Sequence, residues 1–222
     1  MPRYIYGFLA SMILAYLVTP SVMKLAWKIG AIDKPGDPRR IHKQPMPRLG
    51  GLAIYIAFVL TGLLTLPLKQ GYIQGIFLGA SLIVIVGIVD DIYNLPARVK
   101  LLGQIAAAGI LVAFGVKVEI ITNPLGGMFV LGKLAIPATL FWVVGITNTL
   151  NFIDGLDGLA AGIAAIAAFT MMLVNISLEQ ANGALVMAIL AGAAIGFLPY
   201  NFNPAKIFMG DTGAMFLGFV LA

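Results

Sequence analysis

The chain reads as an all-α polytopic membrane protein, and three observations carry that reading. Hydrophobic residues make up 60% of the sequence and charged residues only 10%, where a soluble domain holds about 25% charged residues. The mean hydropathy is +1.00. Apolar stretches on the scale of a bilayer crossing, roughly 20 residues, recur from one end to the other. Between them lie short connections rich in Asp, Gly and Pro.

Taken in order, the apolar segments fall at 4–28, 49–68, 73–89, 99–115, 134–150, 156–177, 182–199 and 213 onward. This predicts seven full transmembrane helices and the start of an eighth. The first, from Tyr4 to about Trp27, outruns a signal-peptide core and lacks a small-residue cleavage site, so it is expected to stay as a membrane helix. The third and fifth are short, near the lower limit for a crossing. Between the fourth and fifth, "VKVEIITNPLGGMFVLG" alternates weakly around a Pro and a Gly-Gly, which predicts a small extracytoplasmic hairpin near 116–132. Gly71/Gly75/Gly79 and Gly192/Gly196 are small-xxx-small faces that suit helix packing. The stretch from Gly213 to Ala222 supplies ten residues, about half a crossing. Residues 1–222 are therefore expected to form one integral-membrane domain that is incomplete, with further helices beyond Ala222. Cysteine is absent and histidine occurs once, which excludes disulfides and thiolate metal sites and argues against zinc.

Charge sets the expected orientation. Alternating the loops puts Lys24, Lys28, Lys34, Arg39, Arg40, Lys43, Arg48, Arg98, Lys100 and Lys206 on one side, and Arg3, Lys69, Lys117 and Lys133 on the other. Ten against four makes the first side cytoplasmic, with the N-terminus outside. Acidic residues do not obey that rule, yet Asp33, Asp37, Asp90, Asp91, Asp154, Asp157 and Asp211 all fall on the cytoplasmic side. Carboxylates from four loops are thereby placed where one water-accessible site could gather them.

Three stretches carry chemistry. "VGIVDDIYNLPARVK" closes the third span on Asp90-Asp91, adjacent carboxylates that repel unless a cation or a wet cleft compensates; the plain alternative is an Asp capping the next helix. In "NTLNFIDGLDGLAAG", Asn148, Asn151, Asp154 and Asp157 step by three and share a face if the segment is helical. Such oxygen ligands suit Mg²⁺, or Mn²⁺, bound together with substrate phosphates. Helix capping and interhelical hydrogen bonds are the competing explanation. In "FNPAKIFMGDTGAMFLG", Asp211 stands at a helix start, where free N–H groups favour an anion or a metal-bound phosphate, or where Asp211 simply caps. Phe208 could stack on a base or anchor at the interface. The loop "DKPGDPRRIHKQPMPRLGG" holds five Lys and Arg residues that could grip phosphates or simply serve the positive-inside bias and anionic lipid.

These three motifs, in this order, resemble the polyprenyl-phosphate N-acetylhexosamine-1-phosphate transferases, integral membrane enzymes of glycosyltransferase family 4. The resemblance runs from the first helix to the last residue. The cationic loop is closer to the branch that uses UDP-GlcNAc to start O-antigen, common-antigen or teichoic acid synthesis. The pentapeptide transferases usually carry Thr-Pro-Thr-Met-Gly-Gly where this chain has Met46 to Gly51. The resemblance implies that Asp211 ligates Mg²⁺ and that Asp90 and Asp91 form the catalytic acidic pair at the reacting phosphates. It also implies that Asn151, Asp154 and Asp157 line the nucleotide and diphosphate pocket, with Phe208 against the uracil. Lys100, Arg39, Arg40, His42, Lys43 and Arg48 are expected substrate contacts. Two departures stand out: Asn94 replaces a further Asp found in some members, and the family's later His-rich cytoplasmic loop lies beyond this sequence.

The implied reaction is attack of a polyprenyl phosphate oxygen on the β-phosphorus of UDP-GlcNAc, giving polyprenyl diphosphate-GlcNAc and UMP at the cytoplasmic membrane. Expected partners are the UDP-sugar, the lipid phosphate and the membrane, with no nucleic acid; a homodimer is compatible. Two alternatives remain open: a phospho-MurNAc-pentapeptide transferase and, more distantly, a cation-coupled transporter. The transporter would place its carboxylates near mid-membrane in related halves, whereas here they collect at one end of the spans and no repeat is visible.

Overall fold

Each predicted apolar segment becomes one helix. The computed structural model describes residues 3–33, 44–123 and 126–222. Its helices are α1 (Arg3–Ile29), α2 (Gly50–Thr65), α3 (Gly71–Tyr93), α4 (Ala97–Ala113), α5 (Ala135–Ile153), α6 (Leu159–Ser177), α7 (Ala181–Asn201) and α8 (Gly210–Leu221). Two short antiparallel ribbons and a 3-10 turn at Gly132–Leu134 accompany the helices. Strands β1 (Ile32–Asp33) and β2 (Met46–Pro47) pair Ile32 with Pro47, and β3 (Ile120–Thr122) and β4 (Met128–Val130) form the hairpin anticipated after α4. The β1–β2 stem was not anticipated, because two residues per strand leave no periodicity to read.

Five helical segments are long and apolar enough to cross a membrane: Arg3–Ile29, Gly71–Tyr93, Gly132–Ile153, Leu159–Ser177 and Ala181–Asn201. The other three are shorter, α4 with 17 residues, α2 with 16 and α8 with 12. The third and fifth segments, expected to be short, are instead among the long ones. α3 runs for 23 residues because it continues through Asp90 and Asp91 rather than stopping before them. Those carboxylates find partners on other elements, so the helix ends only at Asn94, which takes a left-handed conformation (φ 52°). Pro96 then prevents immediate continuation.

Small residues decide how closely the helices approach. α7 is buried almost all round and packs along α1, where Gly192 and Gly196 lie against the backbone carbonyls of Phe8 and Met12. α8 is more central still, buried from Thr212 to Leu221 among α2, α3 and α5. A methyl group on Gly51 or Gly87 would strike the backbone of α8, and one on Gly218 would strike that of α5. A helix of 12 residues therefore starts at one end of the bundle and points into its middle, and everything chemical is arranged around that start.

Candidate functional site at the start of helix α8

The chain reaches α8 through a strapped segment. Phe208 N–H donates to the Pro47 carbonyl (2.8 Å), while Gly50 and Gly51 N–H donate to Phe208 and Met209 carbonyls (3.0 and 2.8 Å). Gly210 then turns with φ 73°, a backbone conformation that side chains with a Cβ rarely adopt. The free N–H groups of the first turn are met by a carboxylate from another helix: Asp91 Oδ1 accepts from Asp211 N (3.0 Å), and Asp91 Oδ2 accepts from Thr212 N (3.1 Å) and Thr212 Oγ1 (2.6 Å). Arg48 closes the arrangement, with Nε at 3.2 Å and Nη2 at 3.1 Å from Asp91 Oδ1. Its Nη1 reaches the Asn94 amide oxygen at 3.3 Å. An Asp does cap a helix here, but it is Asp91 capping α8 rather than Asp211 capping its own helix.

With its backbone fixed, Asp211 presents its carboxylate to two neighbours. Asn151 Nδ2 donates to Oδ1 at 3.0 Å, and Lys100 Nζ lies 2.6 Å from Oδ2. The same ammonium is 3.1 Å from Asp90 Oδ2, whose other oxygen accepts from Leu95 N–H at 2.7 Å. Asp90, Asp91, Lys100, Asn151 and Asp211, drawn from α3, α4, α5 and α8, are thus brought together. Asp90 and Asp91 are both only 3% exposed, and neighbours in sequence though they are, they serve different partners.

In front of Asp211 opens a cavity of about 600 Å³, lined among others by Asp33, Arg48, Asp154, Asp157, Phe208 and Asp211. Asp90, Asp91, Lys100 and Asn151 are not among its lining residues and form the layer behind it. One expectation is corrected here: the four residues stepping by three do not share a helical face. α5 ends at Ile153, so Asn148 and Asn151 are helical, Asp154 is the residue past the end, and Asp157 lies in the turn before α6. The glycines of this stretch are the cause, since Gly158 takes φ 73° and starts a new helix in a new direction. Asn148 faces Gln104 instead, exchanging side-chain hydrogen bonds at 2.7 and 3.3 Å between α5 and α4. Asp157 Oδ2 accepts from Ala205 N (3.0 Å) and Asn203 Nδ2 (3.3 Å), fixing the loop that leads to Phe208. Arg39, Arg40, His42 and Lys43 lie outside the described residues.

Sequence reasoning passed over Thr212 and Asn201. Thr212 stands inside the quoted Gly-Asp-Thr-Gly, where a hydroxyl beside an acid was the available signal. Buried Asn201 accepts from Gly158 N–H (3.2 Å) and donates to the Ile207 carbonyl (3.0 Å), tying the α5–α6 turn to the α7–α8 loop. Nothing in its local sequence marks that role.

Among the described residues, acids outnumber bases at this site: Asp90, Asp91, Asp154 and Asp211 face Arg48 and Lys100. Burial, then the carboxylates of Asp211 and Asp91, push Asp154 up to about 7, with Arg48 pulling the other way. Among the described residues no group of three or more acids and histidines is disposed to hold a metal ion. Mg²⁺, however, binds through one or two carboxylates and completes its shell with water and phosphate oxygens. Asp211, oxygen-only and open to a cavity that Asp154 also lines, fits that requirement.

The family model for Glycosyl transferase family 4 matches residues 73–222, about two thirds of the chain. The chain belongs to glycosyl transferase family 4. Across the whole chain, it is 42% identical to a Bacillus subtilis (strain 168) protein named "Probable undecaprenyl-phosphate N-acetylglucosaminyl 1-phosphate transferase". It is 40% identical over 96% of its length to the decaprenyl-phosphate N-acetylglucosaminephosphotransferase of Mycolicibacterium smegmatis. A phospho-N-acetylmuramoyl-pentapeptide-transferase of Desulforudis audaxviator is 32% identical over 96% of the chain. The chain spans 62% and 57% of the length of the first two relatives and 71% of the third. All three motifs that define the site lie within the residues matched to the glycosyl transferase family 4 model.

Proposed function

We propose that the protein transfers GlcNAc-1-phosphate from UDP-GlcNAc to a polyprenyl phosphate, giving polyprenyl diphosphate-GlcNAc and UMP. This would be the first membrane step of a cell-envelope polysaccharide. The observation that carries the reading is Asp211 facing a 600 Å³ cavity from a helix start at one end of an apolar bundle. The names of the relatives at 42% and 40% identity support the sugar and the lipid. Cytoplasmic orientation rests on the ten-to-four split of basic residues, and seven crossings with an eighth begun rest on the apolar segments.

Phosphoryl transfer asks a protein mainly to position reactants and neutralise charge. Asp211 would hold Mg²⁺, which when bound supplies charge neutralisation at the diphosphate. Phe208 offers an aromatic face to the uracil, and Asp154 and Asp157 border the nucleotide. Lys100 holds Asp90 in place, where it would orient the lipid phosphate or take its remaining proton. A phosphate monoester is largely dianionic at neutral pH, so a strong base is not needed.

Purified full-length protein given labelled UDP-GlcNAc, polyprenyl phosphate and Mg²⁺ is expected to yield a butanol-soluble labelled lipid and UMP. Asp211→Asn should lower turnover at least about 100-fold or sharply raise the Mg²⁺ requirement. Label from UDP-MurNAc-pentapeptide alone would favour the pentapeptide transferase, to which the chain is less similar. Transfer from neither would remove the assignment.

A further inference from the structure

The two adjacent aspartates do different work. We propose that Asp91 is a positioning residue, a cap supplied across the fold that holds the first turn of α8 and so aims Asp211, while Asp90 acts through the Lys100 ammonium that it shares with Asp211. The inference rests on the proposed transfer reaction and adds a division of labour within its acidic pair.

Asp91 has no capacity left for chemistry. Its Oδ1 accepts from the Arg48 guanidinium and from Asp211 N–H, and its Oδ2 from Thr212 N–H and Thr212 Oγ1. A carboxylate offers about four lone-pair sites, and these contacts fill them. The main chain is shaped to admit it: a Cβ on Gly210 would stand 2.5 Å from Asp91 Oδ2 and 2.7 Å from the Arg48 carbonyl. Met209, at the N-cap position of α8, makes no side-chain cap, so Asp91 supplies what the local sequence lacks. To meet a metal or a phosphate, Asp91 would have to release the helix start that carries Asp211. Asp90 is placed otherwise, sharing Lys100 with Asp211 and bonding only one backbone N–H.

The consequence is thermodynamic coupling between Asp91 and Thr212, expressed at Asp211. The test uses the full-length protein in lipid nanodiscs as wild type, Asp91→Asn, Thr212→Val and the double variant. Mn²⁺ binding is followed by electron paramagnetic resonance in the presence of UDP-GlcNAc, and Mg²⁺ half-saturation and kcat by lipid-linked label. Each single variant is expected to raise the Mn²⁺ Kd and the Mg²⁺ half-saturation roughly three- to tenfold, the size of a lost cap. Saturating Mg²⁺ should restore kcat to within about threefold, and the double variant should be little worse than Asp91→Asn. A role in global stability alone would lower the folded fraction without moving the metal requirement of the molecules that remain. The proposal is overturned if Asp91→Asn loses turnover that no Mg²⁺ concentration restores, if the two losses multiply independently, or if folded wild type binds no Mn²⁺. Should Asp91→Asn fail to fold, Thr212→Val decides: an unchanged Mn²⁺ Kd overturns the proposal. Failure of wild type to use any UDP-sugar would instead remove the reaction, leaving the Mn²⁺ coupling to be judged separately.

Discussion

Lys100 Nζ lies 2.6 Å from Asp211 and 3.1 Å from Asp90, so one ammonium serves carboxylates from two helices. Removing it leaves both without their cation in a largely enclosed place, a change that typically costs far more than the pair contributes. Lys100→Met is therefore expected to cut transfer at least about 100-fold and to lower Tm, read by turnover and by nanodisc thermal unfolding; unchanged activity would mean that the bridge is incidental. Asp154 makes a second prediction through its raised pKa. Its native form is neutral below about 7, whereas the unfolded chain ionises near the ordinary Asp value. The group thus disfavours the folded state increasingly from about pH 4 up to 7 and by a constant amount above. Asp154→Asn is expected to raise the Tm of ligand-free protein more at pH 8 than at pH 5, with the gap vanishing near pH 4. A difference independent of pH would show that Asp154 is not held neutral.

At the scale of elements, α8 organises the site because glycines let α2 and α3 touch its first turns. Gly51→Val places bulk against the Gly213 backbone, which cannot move without moving Asp211. The expected cost is more than about 2 kcal/mol, seen as poor recovery of folded protein or a Tm several degrees lower; a wild-type Tm would contradict the packing. Helix positions were legible in the sequence because burial in lipid demands long apolar runs, and each such run is a helix. Helix ends were less legible. α3 runs past its apolar stretch because Asp90 and Asp91 are satisfied by Lys100, Arg48 and α8, partners between 10 and 121 residues away. The Asn148–Asp157 series misled for the opposite reason, since a spacing of three implies a shared face only while the helix lasts. The motifs located the site, but which carboxylate faces the cavity and which caps a helix depends on contacts between elements that no local pattern records.

In the proposed reaction the whole molecule would bring two unlike substrates to one place. A nucleotide sugar would arrive from water and a polyprenyl phosphate from the bilayer, and they could meet only where helix ends reach the surface. Asp90, Asp91, Arg48, Lys100, Asp154 and Asp211 all lie at or near helix ends on one face of the bundle. Removal of divalent metal with EDTA is expected to stop transfer, with Mg²⁺ or Mn²⁺ restoring it; full activity in EDTA would end the metal proposal. The most direct measurement is the anomalous signal of Mn²⁺ in crystals of the full-length protein grown with UDP-GlcNAc. The account predicts one peak against the Asp211 carboxylate, in the cavity bordered by Asp154 and Phe208, with Asp91 still bonded to Thr212. A peak on Asp91, or none at Asp211 with the nucleotide sugar bound, would contradict it.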